Sequence, residues 1–156
     1  MFLGVSERDE VGLQSLDAPF VVRAAAAVQA VCGLYLLLSA VQLLTSIRFY
    51  GELVLVQYAN WAFLVLGVAQ VFVAAQTVRL RPPYGWVGTV LSGVVALAVT
   101  LWVGANVVFM IFSCMQVGTL VFAWAAAILS PFTIGPIARA AAVRRQLEDQ
   151  GMDLGL

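Results

Sequence analysis

Between Trp86 and Ala138 no residue carries a charge. That stretch is more than twice the roughly 20 apolar residues that take an α-helix across a hydrocarbon core. It must therefore fold back once, and the solvent that admits it is lipid, where every backbone N–H and C=O has to be paired inside a helix. The reversal falls between Gly104 and Cys114, with Asn106 as its polar marker. Two more apolar runs precede it, Phe20–Leu44 and Leu53–Val78. The fold class read from this is all-α: an integral membrane four-helix bundle, up-down-up-down, with both termini cytoplasmic. The spans are expected at about 20–44, 53–78, 86–105 and 112–135, in one domain over 1–156 with a cytoplasmic surface tail over 137–156.

Composition agrees. Hydrophobic residues make up 63% of the chain and charged residues 10%, against about 25% charged in ordinary globular domains. A soluble domain of this size has too little interior to hide so much apolar surface. Local signals mark the ends. Asp17 and Pro19 suit a helix start, and Arg79-Leu80-Arg81-Pro82-Pro83 is a hard stop for the second span. Pro131 and Pro136 are expected to kink the fourth span or end it at Ser130. From Ile137 two readings stand side by side. One is a short helix along the inner membrane surface, with Ile137, Ala140, Val143 and Leu147 on one side and Gly151 as its stop; the other is a solvated tail. Glu7, Arg8, Asp9 and Glu10 have the wrong charge for a signal peptide's basic segment, so no cleavable leader is expected.

Orientation follows from the arginines. Arg8, Arg23, Arg79, Arg81, Arg139, Arg144 and Arg145 fall on one side and only Arg48 on the other. The larger group is expected to face the cytoplasm. Tyr84 and Trp86 sit where the inner interface is expected, and Tyr50, Tyr58, Trp61 and Trp102 near the outer one. Trp124 falls near mid-membrane, so its indole N–H needs an acceptor within the bundle. All eight basic residues are arginine. Lysine codons are AT-rich, so this composition fits a GC-rich genome; the expected location is the plasma (inner) membrane of a bacterium. A shift of 60 residues pairs Gly33 with Gly93, Phe72 with Phe132 and Arg79 with Arg139, a weak trace of a repeated hairpin.

Several chemistries lack their residues. There is no histidine, the ordinary ligand of haem, copper and catalytic zinc. Cys32 and Cys114 are expected at different depths, too far apart for a disulfide, and are read as apolar fillers. No catalytic residue, metal or cofactor is expected. No carboxylate lies inside a span, whereas proton-coupled transport generally uses one there. Serines and threonines have no base beside them, so the chain is not expected to be an enzyme. Zero net charge speaks against a nucleic-acid partner, which calls for a basic patch.

What remains in the spans is uncharged. Gln57 and Asn60 lie one turn apart in the second span, with Gln70 and Gln76 deeper; Gln29, Ser39 and Gln42 belong to the first and Gln116 and Thr119 to the fourth. Such residues either join helices by hydrogen bonds or line a path for a small solute. The most regular pattern is Gly88, Ser92, Ala96, Thr100 and Gly104, one small residue per turn through the third span. A low ridge of this kind admits a close neighbour, inside the bundle or in another subunit, and the spacing leaves Val99 off it. Arg79, Arg81, Arg139, Arg144 and Arg145 form the expected cytoplasmic interface. The expected function is a non-catalytic accessory, assembly or stabilising subunit of a larger membrane complex. The alternatives are a homo-oligomeric channel or permease for a small neutral solute, and a lipid- or pigment-binding bundle with Trp124 among its contacts. The expected partners are membrane lipids and either another membrane protein or further copies of this chain.

Overall fold

The computed structural model describes residues 18–50, 54–105 and 114–150, with side chains described over 18–45, 58–105 and 115–150. Every regular element in it is helical: α1 (Phe20–Tyr50), α2 (Val54–Val78), α3 (Pro82–Ala105), α4 (Cys114–Leu129), a 3-10 turn (Ser130–Thr133) and α5 (Ile134–Asp149). Among the described residues four helical stretches are long and apolar enough to cross a membrane: Phe20–Thr45, Tyr58–Val78, Pro82–Ala105 and Met115–Asp149. The all-α four-helix bundle expected from the apolar runs is what forms. Its third helix starts at Pro82, four residues ahead of the expected boundary. Proline lacks the N–H that a first turn leaves unpaired, so the two prolines open α3 as well as barring α2. The segment 106–113, where the reversal was expected, lies outside the described residues.

Alongside a hydrophobic core, the bundle turns polar side chains inward and many large apolar ones outward. Gln29, Gln70 and Ser92 are at most 1% exposed, while Val90, Leu97 and Leu101 are 61–74% exposed. In lipid, large apolar side chains gain nothing by turning inward, whereas polar groups and small residues do. The interior is correspondingly fine-grained: Cys32, Leu36, Val95, Ala96, Val99, Ala123 and Ala126 form its centre.

α1 and α2 make the closest pair. A Cβ built on Gly33 would lie 2.8 Å from the Gly67 carbonyl oxygen, and one on Gly67 would lie 2.9 Å from that of Gly33. Both glycines are needed for that approach. Gly93, the partner of Gly33 under the 60-residue shift, has nothing within 4 Å of such a Cβ. The two matched glycines therefore have unlike surroundings.

The turn from α2 into α3 is short and strained. The Arg81 N–H reaches the Gln76 carbonyl (3.5 Å) and the Leu80 N–H that of Thr77 (3.0 Å), the paired bonds of a Schellman end. Its left-handed residue, normally glycine, is Leu80 at φ 52°, at a cost of about 1–2 kcal/mol. Leu80 is 1% exposed and packs with Val22, Ile137 and Ala140, so burial of its side chain offsets the backbone strain.

Pro131 interrupts the fourth span as expected. α4 ends at Leu129 and the 3-10 turn carries the chain into α5. Proline cannot donate to the carbonyl four residues back; here that is Ala127, and the Ser130 hydroxyl reaches it instead (3.5 Å). The Ile134 N–H bonds the Pro131 carbonyl. The segment after Ile137 is helical, the secondary structure of the first of the two readings. Ile137, Ala140 and Leu147 are buried and Val143 half-buried along one side, and the upper part of that side packs onto α1 and the α2–α3 corner.

Candidate functional site

The polar side chains inside the bundle gather into two clusters. In the first, Gln29 of α1 donates through Nε2 to the Gly88 carbonyl oxygen (3.3 Å) and to Ser92 Oγ (3.1 Å) of α3. Gln70 of α2 donates to the same Ser92 Oγ (3.3 Å) and stands beside Cys32. One hydroxyl thus joins three helices. A Cβ on Gly88 would lie 2.9 Å from the Gln29 amide nitrogen, so the amide would have to move from the place where it makes these bonds. The Oε1 atoms of Gln29 and Gln70 find no hydrogen-bond partner among the described residues.

The second cluster joins α1 to α4. Ser39 Oγ and Thr119 Oγ1 are 3.0 Å apart. Thr119 also bonds the Met115 carbonyl (2.8 Å), which occupies its only proton, so Ser39 donates to Thr119. Gln116 and Trp102 border the same place, where a cavity of about 10 Å³ is left, room for about one water molecule. Cys32, Leu36, Val95, Ala96 and Val99 belong to the apolar centre of the bundle and share their helices with the polar residues of both clusters. A third contact lies at the flank. Trp124 Nε1 donates to Thr100 Oγ1 (3.0 Å), whose own proton goes to the Ala96 carbonyl (2.6 Å). This is the acceptor that the Trp124 indole was expected to need.

No protein-family model, curated protein or solved structure matches this chain.

The expected site residues divide accordingly. Gly88, Ser92 and Ala96 face the bundle interior, with Ala96 only 1% exposed. Thr100 and Gly104 are exposed, so the ridge does not run the full width as one packing face. The reason is helical pitch: each step of four residues advances about 40° around the axis, and from Gly88 to Gly104 the row turns through about 160°. The buried face instead runs Gly85, Gly88, Ser92, Val95, Ala96 and Val99, at the three-and-four spacing that holds direction. Val99, expected off the ridge, is 2% exposed, because seven residues from Ser92 nearly complete two turns.

Among the polar residues, Gln70 enters the first cluster and Gln116 borders the second. Asn60 is 3% exposed, and its Oδ1 has no partner among the described residues; it joins neither. The side chains of Gln57, Arg48 and Cys114 lie outside the described residues. Arg79, Arg81, Arg139 and Arg145 are exposed and Arg144 is half-buried. Arg144 donates through Nη2 to the Arg79 carbonyl (3.1 Å), so the α2–α3 corner and α5 meet at one end of the bundle.

The close approach of Gly33 to Gly67 was not among the expected contacts. Neither glycine has a small residue four positions away: Gln29, Leu37, Phe63 and Val71 occupy those places. The one signal in the sequence is a lone glycine deep in each apolar run. Gly118 is similar, with Tyr35 Cε1 2.6 Å from where its Cβ would be.

Proposed function

We propose that this chain is a non-catalytic subunit that assembles or stabilises a larger membrane complex, docking through its arginine-bearing end. The observation that carries the reading is the use of the intramembrane polar groups. Gln29, Gln70 and Ser92 bind one another across three helices, and Ser39 binds Thr119. Helix-joining bonds of this kind shape a scaffold, and they favour that reading over a polar lining for a solute. The chemically distinctive surface is then the end that carries Arg79, Arg81, Arg139 and Arg145. In the proposed orientation this end and both termini face the cytoplasm of a bacterial cell, across the inner membrane. The support is the distribution of arginines, seven on one side and Arg48 on the other.

Two measurements test this. After replacement of Cys32 and Cys114 by Ala, a cysteine at Arg79 or Gln146 is expected to be shielded from an impermeant thiol reagent in intact cells. One at Tyr50 is expected to react. Labelling at Arg79 overturns the orientation. Extraction in mild detergent is expected to bring down a stoichiometric second membrane protein, released by Arg81→Glu with Arg139→Glu while the chain's own melting temperature holds. A symmetric ring of this chain alone would replace the subunit reading with that of a channel.

A further inference from the structure

α3 and α5 approach each other near the arginine end. A Cβ on Gly85 would lie 3.3 Å from the Ile134 Cα, so the helices are close there. Beyond that contact lies a groove of about 300 Å³. It exists because α5 presents Ala138, Ala142 and Arg145 at i, i+4 and i+7, a strip of small residues ending in a cation. Trp86, 65% exposed, forms the opposite wall. No carboxylate lines the groove.

Arg145 is the charged residue of its lining, and the exposed Arg81 immediately precedes α3; Glu148 and Asp149 follow one turn beyond Arg145 on α5. Apolar walls with a cation at one rim match a molecule that is apolar along its length and anionic at its head. The indole of Trp86 belongs at headgroup depth.

We propose that this groove seats one anionic phospholipid, its phosphate at Arg145 and its first acyl methylenes between Trp86 and the Ala138–Ala142 strip. The inference rests on membrane residence but not on the subunit reading. A lipid held here bridges the third and fourth spans.

The test uses the full chain in detergent, titrated with palmitoyl-oleoyl phosphatidylglycerol and followed by native mass spectrometry. Phosphatidylcholine with the same chains is the comparison. One saturable phosphatidylglycerol adduct is expected, with phosphatidylcholine much weaker. Arg145→Gln should weaken it about fivefold, the factor for about 1 kcal/mol per basic residue near an anionic surface. Ala138→Leu fills the groove from its exposed side and should remove the adduct, with circular dichroism confirming an unchanged fold; Ala142→Leu is the second variant should Ala138→Leu not fold. Arg23→Gln takes the same charge from α1, outside the groove, and should leave binding as it was. Equal binding of phosphatidylcholine overturns the proposal. So does an Arg23→Gln effect as large as that of Arg145→Gln, or an adduct that survives groove filling. Failure of membrane residence would show separately, as a chain that leaves the detergent phase on cloud-point separation.

Discussion

Gly67→Ala and Gly93→Ala make the same chemical change in two spans and should move stability in opposite directions. Alanine favours a helix over glycine by about 1 kcal/mol, and this term is common to both variants. At Gly93 nothing lies within 4 Å of the added methyl, so the favourable term stands alone. At Gly67 the methyl would sit 2.9 Å from the Gly33 carbonyl oxygen and 2.9 Å from Leu37 Cγ. Leu37 can rotate away. The carbonyl belongs to the α1 backbone and cannot, so the two helices must separate by about 0.5 Å to reach an ordinary contact of about 3.4 Å. A gap of that size forfeits about a quarter of each dispersion contact across the pair, and overpacking of this kind costs about 1–3 kcal/mol. Hydrophobic gain offers no offset, since lipid is as apolar as the methyl. The difference between the variants is therefore expected to be about 1–3 kcal/mol, Gly67→Ala being the less stable. Unfolding by sodium dodecyl sulfate in mixed micelles, followed by circular dichroism, reads it directly. Two variants equal within about 0.5 kcal/mol, the ordinary scatter of unimportant surface changes, would refute the close α1–α2 approach.

Two further substitutions test the interior. Ser92→Ala removes the hydroxyl that accepts from both Gln29 and Gln70 and should cost between about 0.6 and 1.7 kcal/mol in the same assay, the average and the maximum for hydrogen bonds between membrane helices; an unchanged midpoint would show that the three-helix junction does not form. Ala96→Leu adds bulk at a position 1% exposed and should cost about 1–3 kcal/mol, whereas Val94→Leu, on the outer side at 49% exposure, should change little; equal effects would mean that Ala96 faces lipid.

The spans were legible because lipid imposes its requirement on composition: the charge-free run from Trp86 to Ala138 admits only helices. Half of the small-residue face was legible for a similar reason. Gly88, Ser92 and Ala96 are buried in the bundle, while Thr100 and Gly104 belong to a regular spacing that slowly winds off the buried face. A count of four records neighbours along one helix, whereas a packing face must also hold direction relative to a second. Helix-to-helix pairing was not legible at all. That Gly33 meets Gly67, or that Ser92 is shared by glutamines 63 and 22 residues away in sequence, depends on rotation and depth of separate helices. A single sequence encodes these only through packing. The start of α3 at Pro82 was obscured by a different ambiguity, since a proline pair reads equally as a stop and as an opening.

Leu80 shows how the arginine end is built to hold its shape. A glycine at that corner would avoid about 1–2 kcal/mol of left-handed strain, yet would leave Val22, Ile137 and Ala140 facing a void. With leucine there, residues of α1 and α5 are packed onto the α2–α3 turn through one side chain. The bond from Arg144 to the Arg79 carbonyl ties the same turn to α5 a second time. Arg79 and Arg81 flank Leu80 directly, so the backbone that carries them is fixed by that packing, which would suit the proposed docking role. A surface ordered in advance spares the entropy that a flexible loop would lose on docking. In this physical sense a strained leucine whose side chain is buried orders the exposed arginines on either side of it.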